Sequence, residues 1–121
     1  MKQVLVVDDS AIIRKVTRRI LEGLHLETRE AEDGPTAMAA CKARMPDAVL
    51  LDWHLGAADG CDVLRQLRGL PEGGRPKILC CLIEQDVAQI ARSSRAGADD
   101  HLLKPFDRNA LRAKLEECGL V

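Results

Sequence analysis

Tyrosine is absent, and the whole aromatic content is one Phe and one Trp, 2% of 121 residues. Trp53 is therefore the sole indole, and it directly follows Asp52. No apolar run approaches the roughly 20 residues that span a bilayer, so membrane insertion is excluded. The apolar stretch Val4 to Val7 turns acidic at Asp8 and is too short for a signal peptide, which predicts a cytoplasmic protein. Neither sign of charge dominates: 18 basic against 19 acidic residues give a net charge of -1. Nucleic-acid binding would then require a local patch, although arginines outnumber lysines two to one. The five cysteines (Cys41, Cys61, Cys80, Cys81, Cys118) contain no C-x-x-C pair. They read as small buried hydrophobes in a reducing compartment rather than disulfides or zinc ligands. His25, His54 and His101 match no metal-ligand spacing. Long linkers, repeats and low-complexity segments are also missing.

What remains is an ordinary globular composition, 46% hydrophobic and 31% charged, at the size of one domain covering residues 1–121. Short apolar runs at Val4–Val7, Ala48–Leu51, Ile78–Leu82 and His101–Leu103 predict strands covered on both faces. A weaker alternation from Leu26 to Ala31 predicts a strand nearer the sheet edge. Between them lie helical stripes: Ile13, Val16, Ile20 and Leu24, with Arg14, Lys15, Arg18 and Arg19 largely off that face; then Ala37, Cys41 and Met45 after Asp33-Gly34-Pro35. Val63, Leu64 and Leu67 form a third, ended by Gly69, and Val87, Ile90, Ala91 and Ser94 a fourth, ended by Gly97. Asp107 caps a fifth with Leu111, Leu115 and Cys118 inside. Five β-α units predict an α/β fold, a doubly wound parallel sheet with five helices on both faces.

Ligand sites in such folds lie beyond the carboxyl ends of the strands. Those positions hold Asp8 and Asp9, Asp52, the stretch from Leu82 to Glu84, and Lys104-Pro105. Three carboxylates brought together from two strands repel one another unless a cation is present. A few hard oxygen ligands with open water positions suit Mg²⁺. With Lys104 at the same rim, the set matches an incoming phosphoryl group, whose oxygens need neutralising charge.

The motifs V-L-V-V-D-D-S, V-L-L-D-W followed by D-G, and A-G-A-D-D-H-L-L-K-P-F span the chain. It resembles the receiver domain of bacterial two-component response regulators, most closely the single-domain chemotaxis type. The resemblance implies strand order 2-1-3-4-5, with Asp52 as phosphoacceptor and Asp8 and Asp9 as the acid pair for Mg²⁺. His54 would lend the metal a backbone carbonyl, Lys104 would contact the phosphoryl group, and Gly60 would allow the turn after the active loop. A cis Lys104–Pro105 bond is also implied. So are a histidine kinase as donor and the flagellar motor switch as target, reached through the fourth helix, fifth strand and fifth helix of a monomer. Its catalysis would be self-directed, so the chain is not expected to be an enzyme.

Some positions depart from the family pattern. The Thr or Ser that ends the fourth strand is Leu82 when counted back from Ala96-Gly97-Ala98-Asp99, or Cys81 when counted forward from Pro76; the first count needs no gap. Neither residue offers a comparable hydrogen bond. The fifth-strand aromatic is His101, and Leu55-Gly56 replaces the usual Met-Pro. The departures bear on output rather than phosphorylation. A phosphate sink is one consequence. Another is control by cyclic di-GMP through Arg92 and Arg95, three apart on one helix face, with Arg75 or Arg108 nearby. Solvated surface arginines are the favoured reading of that pair. The neutral charge, and the lack of chain beyond Val121, argue against a DNA-binding regulator.

Overall fold

The computed structural model describes residues 1–55 and 58–121. Five strands, β1 (Gln3–Val7), β2 (Glu27–Ala31), β3 (Ala48–Asp52), β6 (Lys77–Leu82) and β7 (Asp100–Leu103), form one parallel sheet in the order β2-β1-β3-β6-β7. This is the expected 2-1-3-4-5 arrangement. A two-residue antiparallel ribbon, β4 (His54–Leu55) with β5 (Ala58–Asp59), follows β3 and had no sequence signal. The helices are α1 (Ala11–Gly23), α2 (Gly34–Ala43), α3 (Gly60–Arg68), α4 (Val87–Ala96) and α5 (Arg108–Glu117). Each starts where a side-chain oxygen accepts from an N–H of the first turn: Ser10, Asp33, Asp59, Asp86 and Asp107.

Alternation along the strands divides the core in two. Leu5, Val7, Val49, Leu51, Ile78 and Leu82 face α2, α3 and α4. Val4, Val6, Leu50, Leu79, Cys81 and Leu102 face α1 and α5. Both layers are needed because β1, β3 and β6 are buried at nearly every position.

Three expectations need correction. The run His101–Leu103 is not covered on both faces: β7 is an edge strand, with Leu103 37% exposed. On α1 the buried residues are Thr17 and Leu21, and Val16 is 50% exposed. Arg14 and Arg18 turn toward Glu30 on β2, which rotates the inner stripe away from Val16. On α4 the buried residues are Ser93 and Ala96, whereas Val87 and Ser94 are exposed. Ser93 can be buried because its hydroxyl donates to the Ile90 carbonyl at 2.8 Å.

Candidate functional site

The carboxyl end of the sheet brings Asp8, Asp9 and Asp52 together. One carboxylate oxygen from each lies within 4.8 Å of the others. Asp8 and Asp52 are each 4% exposed, and Asp9 reaches solvent. Asp8 immediately follows β1, where its N–H donates to the Ala31 carbonyl at 3.1 Å. Its Oδ1 accepts from the Ser10 N–H at 2.9 Å. Asp52 ends β3, and its Oδ1 accepts from the His54 N–H at 3.2 Å. The adjacent ends of β1 and β3 thus bring both buried carboxylates to one edge of the sheet.

Lys104 completes the set. Its Nζ donates to Asp8 Oδ2 at 2.8 Å and lies 3.5 Å from Asp52 Oδ1. The main chain holds it there, with its N–H donating to the Leu82 carbonyl at 2.7 Å, and the Lys104–Pro105 bond is cis as expected. Burial pulls the ammonium down, but the hydrogen bond to Asp8 and the charges of Asp52 and Asp8 outweigh it and hold its pKa above the usual lysine value. Burial and then the Asp8 charge push the Asp52 carboxyl up, against the His54 N–H and Lys104. One ammonium does not balance three carboxylates, so the cluster retains negative charge in a partly dry setting. Three oxygen donors with this residual charge could hold a small hard cation.

The remaining expected residues surround this centre. His54 is exposed and lines a cavity of about 250 Å³ with Leu82, Glu84 and Gln89. Leu82 ends β6 and is 1% exposed, on the sheet face toward α4. Cys81 stands in register with Asp52 on the opposite face, and burial pushes its thiol up to about 12. Neither 81 nor 82 carries a hydroxyl. His101 is half-buried on β7, in register with Cys80, and lines a cavity with Ile90, Ser93 and Ser94 of α4. Gly60 begins α3 directly against Trp53: a Cβ there would lie 2.7 Å from the Trp53 carbonyl oxygen. Of the Leu55-Gly56 pair, Leu55 is buried and Gly56 lies outside the described residues.

Arg92 and Arg95 do not form a free clasp. Arg92 Nη2 pairs with Asp59 Oδ2 at 3.2 Å, and Nη1 donates to Gln89 Oε1 at 3.4 Å. Arg95 is exposed on α4, and Arg75 pairs with Glu72. Sequence reasoning missed the supports of the site: Ser10 and Arg14 at the acid pair, and Gln89, which accepts from the Trp53 indole at 2.8 Å. A cap residue such as Ser10 has a local signature. The Arg14 and Gln89 contacts join separate elements and have none.

Comparison with known proteins agrees with this geometry. The response regulator receiver domain family matches residues 4–116. Chemotaxis protein CheY-3 of Vibrio cholerae is 31% identical over 116 residues, 95% of this chain and 89% of the relative. The solved structure of chemotaxis protein CheY4 from Vibrio cholerae superposes with a TM-score of 0.92 at 26% identity, covering 97% of this chain and 98% of that one. The receiver domain of sensor histidine kinase PA1611 from Pseudomonas aeruginosa superposes at 0.86 with 27% identity, over 96% and 95% of the two chains. That structure has a magnesium ion coordinated in its active-site cleft.

Proposed function

Because the chain belongs to the response regulator receiver family, we propose that it accepts a phosphoryl group on Asp52 from a phosphohistidine of a histidine kinase. The observation that carries this is Lys104 Nζ, placed 3.5 Å from the Asp52 carboxylate and hydrogen-bonded to Asp8. A receiver domain is a signalling module, and the group transferred stays on its own side chain. One Asp52 oxygen attacks phosphorus as the phosphorus–nitrogen bond to the imidazole breaks, and the imidazole leaves with that electron pair. Lys104 faces the charge that develops on the phosphoryl oxygens.

The donor set fits Mg²⁺: Asp8, Asp9 and Asp52 would supply carboxylate oxygens, and the resemblance to receivers implies the His54 carbonyl as a further ligand. When bound, Mg²⁺ neutralises the carboxylates and the arriving phosphoryl oxygens. Chemotaxis signalling, to a flagellar motor switch or another protein, is the output we assign. It is supported by the likeness to chemotaxis relatives and by the surface between β7 and α5, where Leu103, Pro105 and Phe106 line a cavity. Leu82 is our choice for the switch position, since it shares the α4 side of the sheet with His101. Cyclic di-GMP has no comparable support, because Arg92 is occupied by Asp59.

Incubation with a small acyl phosphate and Mg²⁺ tests the assignment. One base-labile phosphoryl group per chain is expected on the wild type and none on Asp52→Asn. Undiminished labelling of Asp52→Asn refutes it.

A further inference from the structure

Arg14 lies on α1, yet its side chain is only 15% exposed, and its guanidinium bridges two elements. Nη1 donates to the main-chain carbonyl of Asp8 at 2.6 Å, and Nε donates to Glu30 Oε1 at 3.1 Å. The other Glu30 oxygen is taken by Arg18 Nη1 at 2.6 Å, and Arg18 also donates to the Thr28 carbonyl at 3.1 Å. The main chain on both sides of the Asp8 Cα is therefore held to β2: the Asp8 N–H donates to Ala31, and the Asp8 carbonyl is tied through Arg14 to Glu30. These contacts are not expected of a solvated helix arginine.

We propose that Arg14, oriented by Glu30, is a positioning residue for the acid pair, aiming the Asp8 and Asp9 carboxylates at one cation. This rests on the reading that Asp8, Asp9 and Asp52 bind Mg²⁺. The guanidinium brings a positive charge toward that position, and charge alone opposes cation binding. Holding the main chain acts the other way, because fixed ligands lose less freedom when the ion binds. The two effects have opposite signs, so removing Arg14 distinguishes them. Lysine keeps the charge but lacks the planar fork that reaches both Glu30 and the Asp8 carbonyl.

Calorimetric titration of Mg²⁺ into the unphosphorylated full chain reads the outcome, at constant ionic strength and with a melting curve for each protein. Wild type is compared with Arg14→Gln, Arg14→Lys and Glu30→Ala. About tenfold weaker Mg²⁺ binding is expected in all three variants, with cooperative melting retained. Unchanged or tighter binding by Arg14→Gln overturns the proposal, as does full affinity in Arg14→Lys. Should the Arg14 variants fail to fold, Glu30→Ala decides, and wild-type affinity there overturns it. A wild type that binds no Mg²⁺ defeats both this proposal and the functional reading beneath it. A wild type that binds beside variants that bind equally well defeats this proposal alone.

Discussion

The Trp53 indole N–H donates to Gln89 Oε1 at 2.8 Å, joining the residue after Asp52 to the first turn of α4. Asp52 and Trp53 are neighbours at the end of β3, so the proposed phosphoacceptor is one peptide away from a side chain anchored on a different element. Gln89 also accepts from Arg92, which is paired with Asp59, the cap of α3. These hydrogen bonds connect the end of β3 to α4 and to the cap of α3 without a hydroxyl at position 82.

Trp53 should report on the acid pair. It is 3% exposed, so bulk salt reaches it poorly, while its backbone is shared with Asp52. Mg²⁺ is expected to produce a saturable change in tryptophan fluorescence in the wild type and little change in Asp9→Ala at equal ionic strength. Addition of beryllofluoride should change the signal again in the wild type. Equal responses from the two proteins would identify a salt effect and remove Asp9 from the metal site.

Leu82→Thr separates chemistry from readout. The side chain is fully packed, so the new hydroxyl must find a partner or cost about 1–3 kcal/mol. Labelling by a phosphodonor should persist, because Asp52, Lys104 and the acid pair are untouched. A lower melting temperature with normal labelling is the expected pair of results. Loss of labelling in a folded variant would place position 82 in the chemistry.

Gly60→Ala tests the packing under the site. The added methyl meets the Trp53 carbonyl at 2.7 Å and the ring at 2.8 Å, and a backbone atom cannot move aside as a flexible side chain does. A loss of about 1–3 kcal/mol is expected, together with a shifted Trp53 emission maximum. Chemical denaturation followed by fluorescence measures both. Wild-type stability would mean that the start of α3 relaxes freely.

Glu30 gives stability a defined pH dependence. The hydrogen bond from Arg18 holds its carboxyl below the ordinary value of 4.5, burial opposes this, and Arg14 adds to the lowering. A depressed folded-state pKa stabilises the fold at pH above the unfolded value, and the benefit disappears as pH falls through the folded one. The melting-temperature gap between wild type and Glu30→Gln should thus be present at neutral pH and shrink as the pH falls below the ordinary carboxyl value of 4.5. A gap that stays constant over this range would show that the ion pairs with Arg14 and Arg18 contribute nothing.

The α/β class, the five β-α units and the carboxyl-end placement of Asp8, Asp9, Asp52 and Lys104 were all legible in the amino-acid sequence. Strand runs and capping residues are local signals, and parallel strands necessarily put their last residues on one edge. The resemblance to receivers supplied the strand order. Tertiary structure alone decided which face of α1 and α4 turns inward. A short amphipathic helix permits neighbouring stripes, and the choice fell to Glu30 on β2 for α1. It also decided that β7 lies at an edge, that Arg92 is taken by Asp59, and that Arg14 and Gln89 brace the site. Each depends on residues far apart in the chain meeting after the sheet is assembled. No periodicity along one segment encodes a partner on another.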